Sequence, residues 1–361
     1  MHLDDQDLTH IRTGALFVAC SVDPLWCHEQ ADRALAHMTS SGARPKLVPI
    51  EQLPDDALIA TIGFVNNGLP LSELRPPGDE FVQSVRILEH ALERRVDGII
   101  PLAAANVNAL VPMLAGMQLD VPVVDADPQG RVFPRLHQTV FTLAGMRAGP
   151  VAVTGPIGES ALLTVETPRH AERLVSALAG EFGGWAATAM YPMQASDLRQ
   201  HGLHGTVSRL LRIGRVLDSA EPTEHKYDLL RRSEGITRIF RARVVDIAGL
   251  SRPSAHGEPD RPSSAILIEE DEGRIIQLEI QNELLMVLVD GVIEAAMPDI
   301  ITMLHPDDAS VASLEDLWVG NVLDIVVMAG APRWYEADGL ALVGPEAHQM
   351  MPSGMLNRGN R

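Results

Sequence analysis

The sequence predicts an α/β protein, with a layered α/β sandwich domain at its N-terminal end and a smaller β-barrel-like domain after it. Three observations predict this. Through the first 150 residues, short apolar runs alternate with amphipathic stretches, the rhythm of strands joined by helices. After a polar stretch around Asp218–Ser233 (DSAEPTEHKYDLLRRS), the pattern changes to β-rich runs with alternation and hairpin-like turns. The 361 residues, 46% hydrophobic and 21% charged, suffice for two cores. The expected division is an α/β sandwich over 1–220, a β-rich barrel-like domain over 234–348, and a loose tail over 349–361.

The elements follow in order. ALFVAC (15–20) reads as a buried strand, and HEQADRALAHMTSSG as a helix ended by Gly42. KLVPI (46–50) and ALIATIGFV (57–65) read as strands. FVQSVRILEHALERR, with apolar residues three and four apart, reads as a helix. DGIIPLAAAN is a strand and turn, VNALVPMLAGMQ a helix, and VPVVDAD a strand, with much parallel pairing expected among these strands. That places Asp125 and Asp127 at the carboxyl end of a strand, where open α/β sheets keep their sites. Residues 161–215 read as mainly helical, through RHAERLVSALAGEFGG and TVSRLLRIGRVLDSA. Beyond the boundary, ITRIFRARVVDIA, SSAILIEEDEGRIIQLEIQN, ELLMVLVDGVIEAAMPDIITML and VLDIVVMAG are strand-like. IEEDEGR is a charged hairpin turn, and SRPSAHGEPDRPSS a Pro/Gly/Ser-rich loop.

Composition removes several function classes. With 29 Lys+Arg against 48 Asp+Glu the net charge is −19, which repels phosphate backbones and anionic membranes. Nucleic acid is not an expected partner, and aromatics at 4% offer no stacking surface. The arginines of RLLRIGR (209–215) recur at helical spacing, as on a solvated helix face. No apolar run approaches the roughly 20 residues that cross a bilayer, and the acidic start MHLDDQDLTH lacks the form of a secretory signal, so the expected location is cytoplasmic. Cys20 and Cys27 are the two cysteines, too few for a disulfide framework, and their spacing fits no common zinc pattern. His201 and His204, in HGLHG, sit between glycines and read as loop residues. Neither dinucleotide nor P-loop glycine spacing occurs.

The stretch VPVVDADPQGRVFP (121–134) resembles a signature of the S-methyl thiohydantoin desulfurase family, which reads Pro-Val-Val-Asp-x-Asp-Gly-Met-Gly-Arg-Ala-Phe-Pro. PIEQLPDDALIATIGFVNNGLP (49–70), HGTVSRLLRIGR (204–215), QNELLMV (281–287), MPDIITML (297–304) and WYEADGLALVGPEAH (334–348) resemble further family segments in the same order. The resemblance implies an α/β sandwich followed by a β-barrel, and five-membered cyclic ureides such as hydantoins and thiohydantoins as substrates. The implied reaction hydrolyses an S-methyl thiohydantoin acid to a hydantoin and methanethiol. Family members commonly sit beside hydantoinase or oxoprolinase-type enzymes, an implied class of protein partner.

The departures are specific. The family's Gly-Thr-Gly-Gly-Gly-Gly-Asp-Pro loop reads Ala19-Cys20-Ser21-Val22-Asp23-Pro24 here. Its Glu-Ile-Gly-Gly-x-Asn reads Pro101-Leu102-Ala103-Ala104-Ala105-Asn106, so a carboxylate is lost to proline. Gly-Met becomes Pro128-Gln129, and Pro-Glu-Leu-Gln becomes Pro134-Arg135-Leu136-His137. Either the substrate differs or the chemistry is lost, which leaves a non-catalytic ligand-binding homologue or partner subunit as the alternative to a hydrolase.

Thiohydantoin hydrolysis needs an activated water, a stabilised tetrahedral centre and a proton for the leaving group. Asp125 or Asp127 is a candidate general base, a ligand of a divalent cation, or a cap of the following turn. Arg131 suits a substrate carboxylate, or an internal pair with either aspartate. Asn106 and Asn282 have the donors and acceptors to read an imide-like ring edge, or to cap turns. Glu283 and Asp299 are candidates from the second domain, and His137, just downstream of the motif, is a candidate catalytic residue because histidine is a common general acid or base. A small-molecule substrate and, by default, a homodimer complete the expectation.

Overall fold

The structure, a computed structural model, describes residues 1–20, 25–66, 78–248, 263–280 and 283–348. It divides into two compact units, one running to Asp218 and the other taking Ser219 onward together with Ala19 and Cys20. Asn282, most of the Pro/Gly/Ser-rich loop and the last 13 residues of the chain lie outside the described residues.

The first unit opens with two helices, α1 (Asp5–Val18) and α2 (Leu25–Ser41). Asp4 and Asp7 cap α1 reciprocally: each backbone N–H donates to the other's carboxylate, at 3.2 and 2.8 Å. The strand expected at ALFVAC is therefore corrected, since residues 15–18 are the last turn of α1. Leu8, Ile11, Ala15 and Val18 recur at helical spacing and are all buried. The apolar run is the end of that stripe, and a short apolar run alone does not separate a buried helix from a buried strand.

β1 (Leu47–Val48), β2 (Leu58–Asn66), β3 (Gly98–Pro101) and β4 (Val123–Val124) lie in the spatial order β1-β4-β3-β2, all parallel. Their crossovers are α3 (Glu80–Leu92) and α4 (Asn106–Leu119). All four residues of β3 are buried, as expected of a parallel strand covered on both faces. The chain continues through β5 (Ala126–Asp127), α5 (Val140–Leu143), β6 (Val151–Thr154), β7 (Ser160–Leu163), α6 (Pro168–Glu181) and β8 (Trp185–Gln194). The helical reading of 161–215 holds at α6 but passes over β8. β8 lies in the middle of the seven-stranded sheet, antiparallel to both β2 and β6. Its run WAATAMYPMQ is buried along its first seven positions, so it carries no polar alternation to mark it as a strand.

α7 (Ala195–His201), β9 (Leu203–His204) and α8 (Thr206–Leu217) close the unit. α8 crosses α1 backbone against backbone. A Cβ built on Gly14 would lie 2.0 Å from the Leu210 carbonyl oxygen, and one on Gly214 would lie 1.8 Å from that of His10.

The second unit begins with α9 (Thr223–Glu234), inside the stretch read as a polar boundary; its Tyr227 and Leu230 are buried. Next come β10 (Ile236–Ala248), β11 (Ser263–Glu269), β12 (Ile275–Ile280), β13 (Leu284–Val289), β14 (Val292–Ala296), β15 (Ile300–Leu304), β16 (Val311–Ala312), β17 (Val322–Met328) and α10 (Ala337–Val343). The strands form one antiparallel sheet in the order β14-β13-β12-β11-β10-β17-β15-β16. Among the described residues no pairing closes β14 onto β16. IEEDEGR is the β11–β12 hairpin turn, held by the Glu269 N–H on the Arg274 carbonyl at 2.9 Å and by Arg274 gripping the Glu269 carboxylate. Helix α9 is tied to the sheet through Asp324, fully buried on β17. Asp324 accepts from the Tyr227 hydroxyl at 2.7 Å and from both arms of Arg241, its cross-strand partner on β10, at 2.8 and 2.9 Å.

Because the α1–α8 crossing leaves no room for a methyl group, Gly14→Ala and Gly214→Ala should each destabilise the protein by about 1–3 kcal/mol or more. Urea unfolding would read this as a lower midpoint. Wild-type midpoints for both variants would rule out the close crossing.

Candidate functional site

The DxD motif sits where the chain leaves one sheet for another. Val123–Val124 belong to the parallel sheet, whereas Ala126 and Asp127 pair with His204 and Leu203 of β9. In a regular strand residues two apart share a face, but here the chain changes sheets between the two aspartates and they contact different elements.

Asp125 turns to α8. Its Oδ1 accepts from the Ser208 N–H at 3.0 Å, its Oδ2 accepts from the Ser208 hydroxyl, and its carbonyl accepts from the Gly205 N–H at 2.8 Å. A carboxylate from another strand thus caps the first turn of α8, where the helix dipole favours negative charge.

Asp127 is completely buried and turns to backbone amides. Oδ2 accepts from Ala104 at 2.7 Å, Gln129 at 3.3 Å and Gly130 at 2.8 Å, and the Gly130 N–H also lies 3.0 Å from Oδ1. Gly130, at φ +72°, adopts the left-handed conformation this tight turn requires. Burial pushes the Asp127 carboxyl up to about 6, against the opposing pull of the amides. The Thr206 hydroxyl exerts a weaker pull in the same direction as the amides, without hydrogen-bonding geometry.

The remaining candidates lie around this clamp. Asn106 opens α4 just past Ala104, with φ at +43°, a left-handed backbone that asparagine tolerates better than most residues. Its Oδ1 accepts from the Asn108 N–H at 3.0 Å, and among the described residues its Nδ2 has no protein partner. Arg131 is fully buried, with Nε donating to the Val132 carbonyl at 2.8 Å and its guanidinium 5.1 Å from the Phe133 ring centroid. The carboxylate partners of Asp125 and Asp127 are backbone amides and Ser208, not Arg131. Glu283, buried ahead of β13, and Asp299, which accepts from the Tyr335 hydroxyl, belong to the second unit. His201 ends α7, while the His204 ring meets the Arg199 carbonyl at 3.0 Å. Cys20 and Cys27 are both buried, and neither is in a disulfide. Among the described residues no group of three His, Cys, Asp or Glu side chains is placed to hold a metal ion.

His137 is the candidate with the most developed surroundings. It lies on the loop after the clamp, 5% exposed, and its ring Nδ1 is hydrogen-bonded to Glu172 on α6. The same Glu172 oxygen accepts from the His137 backbone N–H at 3.1 Å, and Arg135 lies 3.6 Å from the other oxygen. Burial pushes the Glu172 carboxyl up, but the hydrogen bonds and charge of His137, with Arg135 behind, outweigh it and hold the group below its usual range. Among the described residues Nε2 of His137 has no partner. Behind the loop, Thr142 donates to the His137 carbonyl at 2.6 Å, and the buried Tyr191 hydroxyl lies 3.3 Å from Thr139 Oγ1 and 3.4 Å from Thr142 Oγ1. Tyr191 has φ at +46°, an outlier for an aromatic residue and a strain of about 1–3 kcal/mol. Sequence reading does not reach Glu172, Thr142 or Tyr191. Glu172 looks like one more polar position on an amphipathic helix, and Tyr191 like core.

Residues 6–165 match the N-terminal domain of the S-Me-THD-like family and residues 166–352 match its C-terminal domain. The chain belongs to the S-methyl thiohydantoin desulfurase-like family. The family's division at 165/166 falls inside the first compact unit, ahead of α6, so Glu172 and His137 come from different family domains but one structural unit. A crystal structure of a protein from Chromobacterium violaceum is similar over 98% of both chains, at 21% identity and a TM-score of 0.77, and shares the fold. No protein of curated function matches the chain. No helix among the described residues is long and apolar enough to cross a membrane.

The Asp127 clamp carries a pH signature. A folded pKa of about 6 against 3.8 means that the folded state holds this proton more tightly. Stability from this group is full below about pH 4 and falls by about 3 kcal/mol as pH rises to about 6. Asp127→Asn should remove that slope and, by setting an amide N–H₂ against amide donors, lower stability at pH 7 by about 1–3 kcal/mol. Urea unfolding from pH 4 to 7 tests both; identical slopes in the two proteins would refute the assignment.

Proposed function

We propose that this protein is a hydrolase-like enzyme acting on a small cyclic amide of the hydantoin or thiohydantoin type, with His137 as its proton-transfer group. The observation that carries the reading is the His137 ring, nearly buried and fixed at Nδ1 by Glu172 while Nε2 has no protein partner. A base held this way needs no reorganisation before it accepts a proton. Membership of the S-Me-THD-like family along the chain supports the substrate class. In the proposed reaction His137 Nε2 takes a proton from water as its oxygen attacks the ring carbon that bears the S-methyl group. The tetrahedral centre collapses, the C–S bond breaks and the same proton passes to the departing methanethiolate, while the second proton of the water moves from oxygen to the ring nitrogen, leaving hydantoin and methanethiol. The Asn106 amide is suited to donate to a ring carbonyl.

A second reading, a non-catalytic ligand-binding homologue or partner subunit, is favoured by a different observation. Both motif carboxylates are committed to backbone amides and Ser208, and Pro101 stands where the family carries glutamate.

Incubation with S-methyl thiohydantoin acids and hydantoins, with methanethiol and ring products followed by mass spectrometry, separates the two. Turnover that falls about 10²-fold or more in His137→Gln, with the fold intact, is the expected outcome. Saturable binding without product in the wild type would establish the second reading.

A further inference from the structure

We infer that Glu172 is a positioning residue that holds the neutral His137 ring as its Nδ1–H tautomer, so that Nε2 presents only a lone pair. The geometry is one-sided. Glu172 Oε2 faces ring Nδ1 and the His137 backbone N–H together, and a carboxylate can only accept, so the ring proton belongs on Nδ1. Arg135, from the same loop, approaches the other Glu172 oxygen at 3.6 Å and supports the carboxylate's charge on the side away from the ring. Behind the loop the Tyr191 hydroxyl on β8 meets the Thr139 and Thr142 hydroxyls, and Thr142 in turn binds the His137 carbonyl. The loop is therefore held at three points: the ring by Glu172, the backbone N–H by the same oxygen, and the carbonyl by Thr142. With Nδ1 set against this carboxylate, a neutral ring carrying its proton on Nε2 would face Glu172 lone pair to lone pair.

The chemical consequence is a preference of the site. An Nε2 without a proton accepts hydrogen bonds and protons and donates none, so it complements water, a hydroxyl or an acidic N–H, and not a carbonyl oxygen. Glu172 makes no contact with the reacting atoms in this arrangement, since it acts through the ring. The tautomer is a property of the folded protein, whereas its catalytic use rests on the hydrolase reading above.

The test is long-range ¹H–¹⁵N correlation of the full-length protein labelled at histidine, at a pH where His137 is neutral, with His137→Gln assigning the signal. Wild-type protein should show a pyrrole-type Nδ1 and a pyridine-type Nε2. Glu172→Ala should shift the ring toward the Nε2–H form, and Glu172→Gln, which keeps the volume and an acceptor oxygen, should broaden or mix the two. With any substrate that is turned over, Glu172→Gln should lower kcat about tenfold or more with KM within about twofold. A wild-type ring protonated at Nε2 would overturn the inference whatever the activity. So would variants that lose thermal stability but keep the tautomer and kcat, since Glu172 would then be merely structural. The stated tautomer in a protein that turns over no cyclic amide would uphold the positioning role and remove the hydrolase reading.

Discussion

The first unit depends on one buried negative charge. Asp127 sits where three backbone amides converge, one from the loop after β3 and two from its own turn. Burying an unpaired carboxylate costs several kcal/mol, and these amides are what make the position tenable. They also fix geometry, because a carboxylate that binds Ala104 and Gly130 at once sets the spacing of the two loops at the carboxyl ends of β3 and β4. Asn106 follows the first loop and the His137 segment follows the second, so both candidate functional groups hang from one clamp. Asp125 extends the constraint to α8, which is itself locked onto α1 through Gly14 and Gly214.

Much of this was legible in the residues. The alternation of apolar and amphipathic segments marks β2, α3, β3, α4 and the strand before the motif, and the change of pattern after Asp218 marks the second unit. The misreadings share a cause. ALFVAC and WAATAMYPMQ are both buried nearly throughout, and complete burial erases the periodicity that separates helix from strand. α9 is the opposite case, a helix so polar that just three of its residues, Lys226, Tyr227 and Leu230, are buried.

The site was legible by position more than by role. The strand pattern puts Asp125 and Asp127 at a sheet edge, but what each carboxylate binds depends on contacts 23 and 83 residues away, to Ala104 and Ser208. Glu172 was illegible for the same reason, since it lies 35 residues from His137 on a helix whose other charged residues are exposed. No spacing rule reaches across such separations. A backbone outlier such as Tyr191 exists only in three dimensions.

The departures from the family pattern are physically consistent with these contacts. Pro101 is the last residue of β3, buried and in register with Ile62, and Leu102 to Ala105 after it are buried as well. A glutamate in that setting would need a partner of its own, close to the segment that donates to Asp127. With proline and alanines there, the loop contributes a single amide to the clamp and then the Asn106 side chain, and it has no ionisable group to offer a substrate. At the other end of the motif, the family has Pro-Glu-Leu-Gln and this chain has Pro134-Arg135-Leu136-His137. A carboxylate of the family pattern is absent from the β3 strand end and another from the loop after β5, where an arginine and a histidine stand instead. In this chain that arginine and histidine tie the loop to α6 through Glu172.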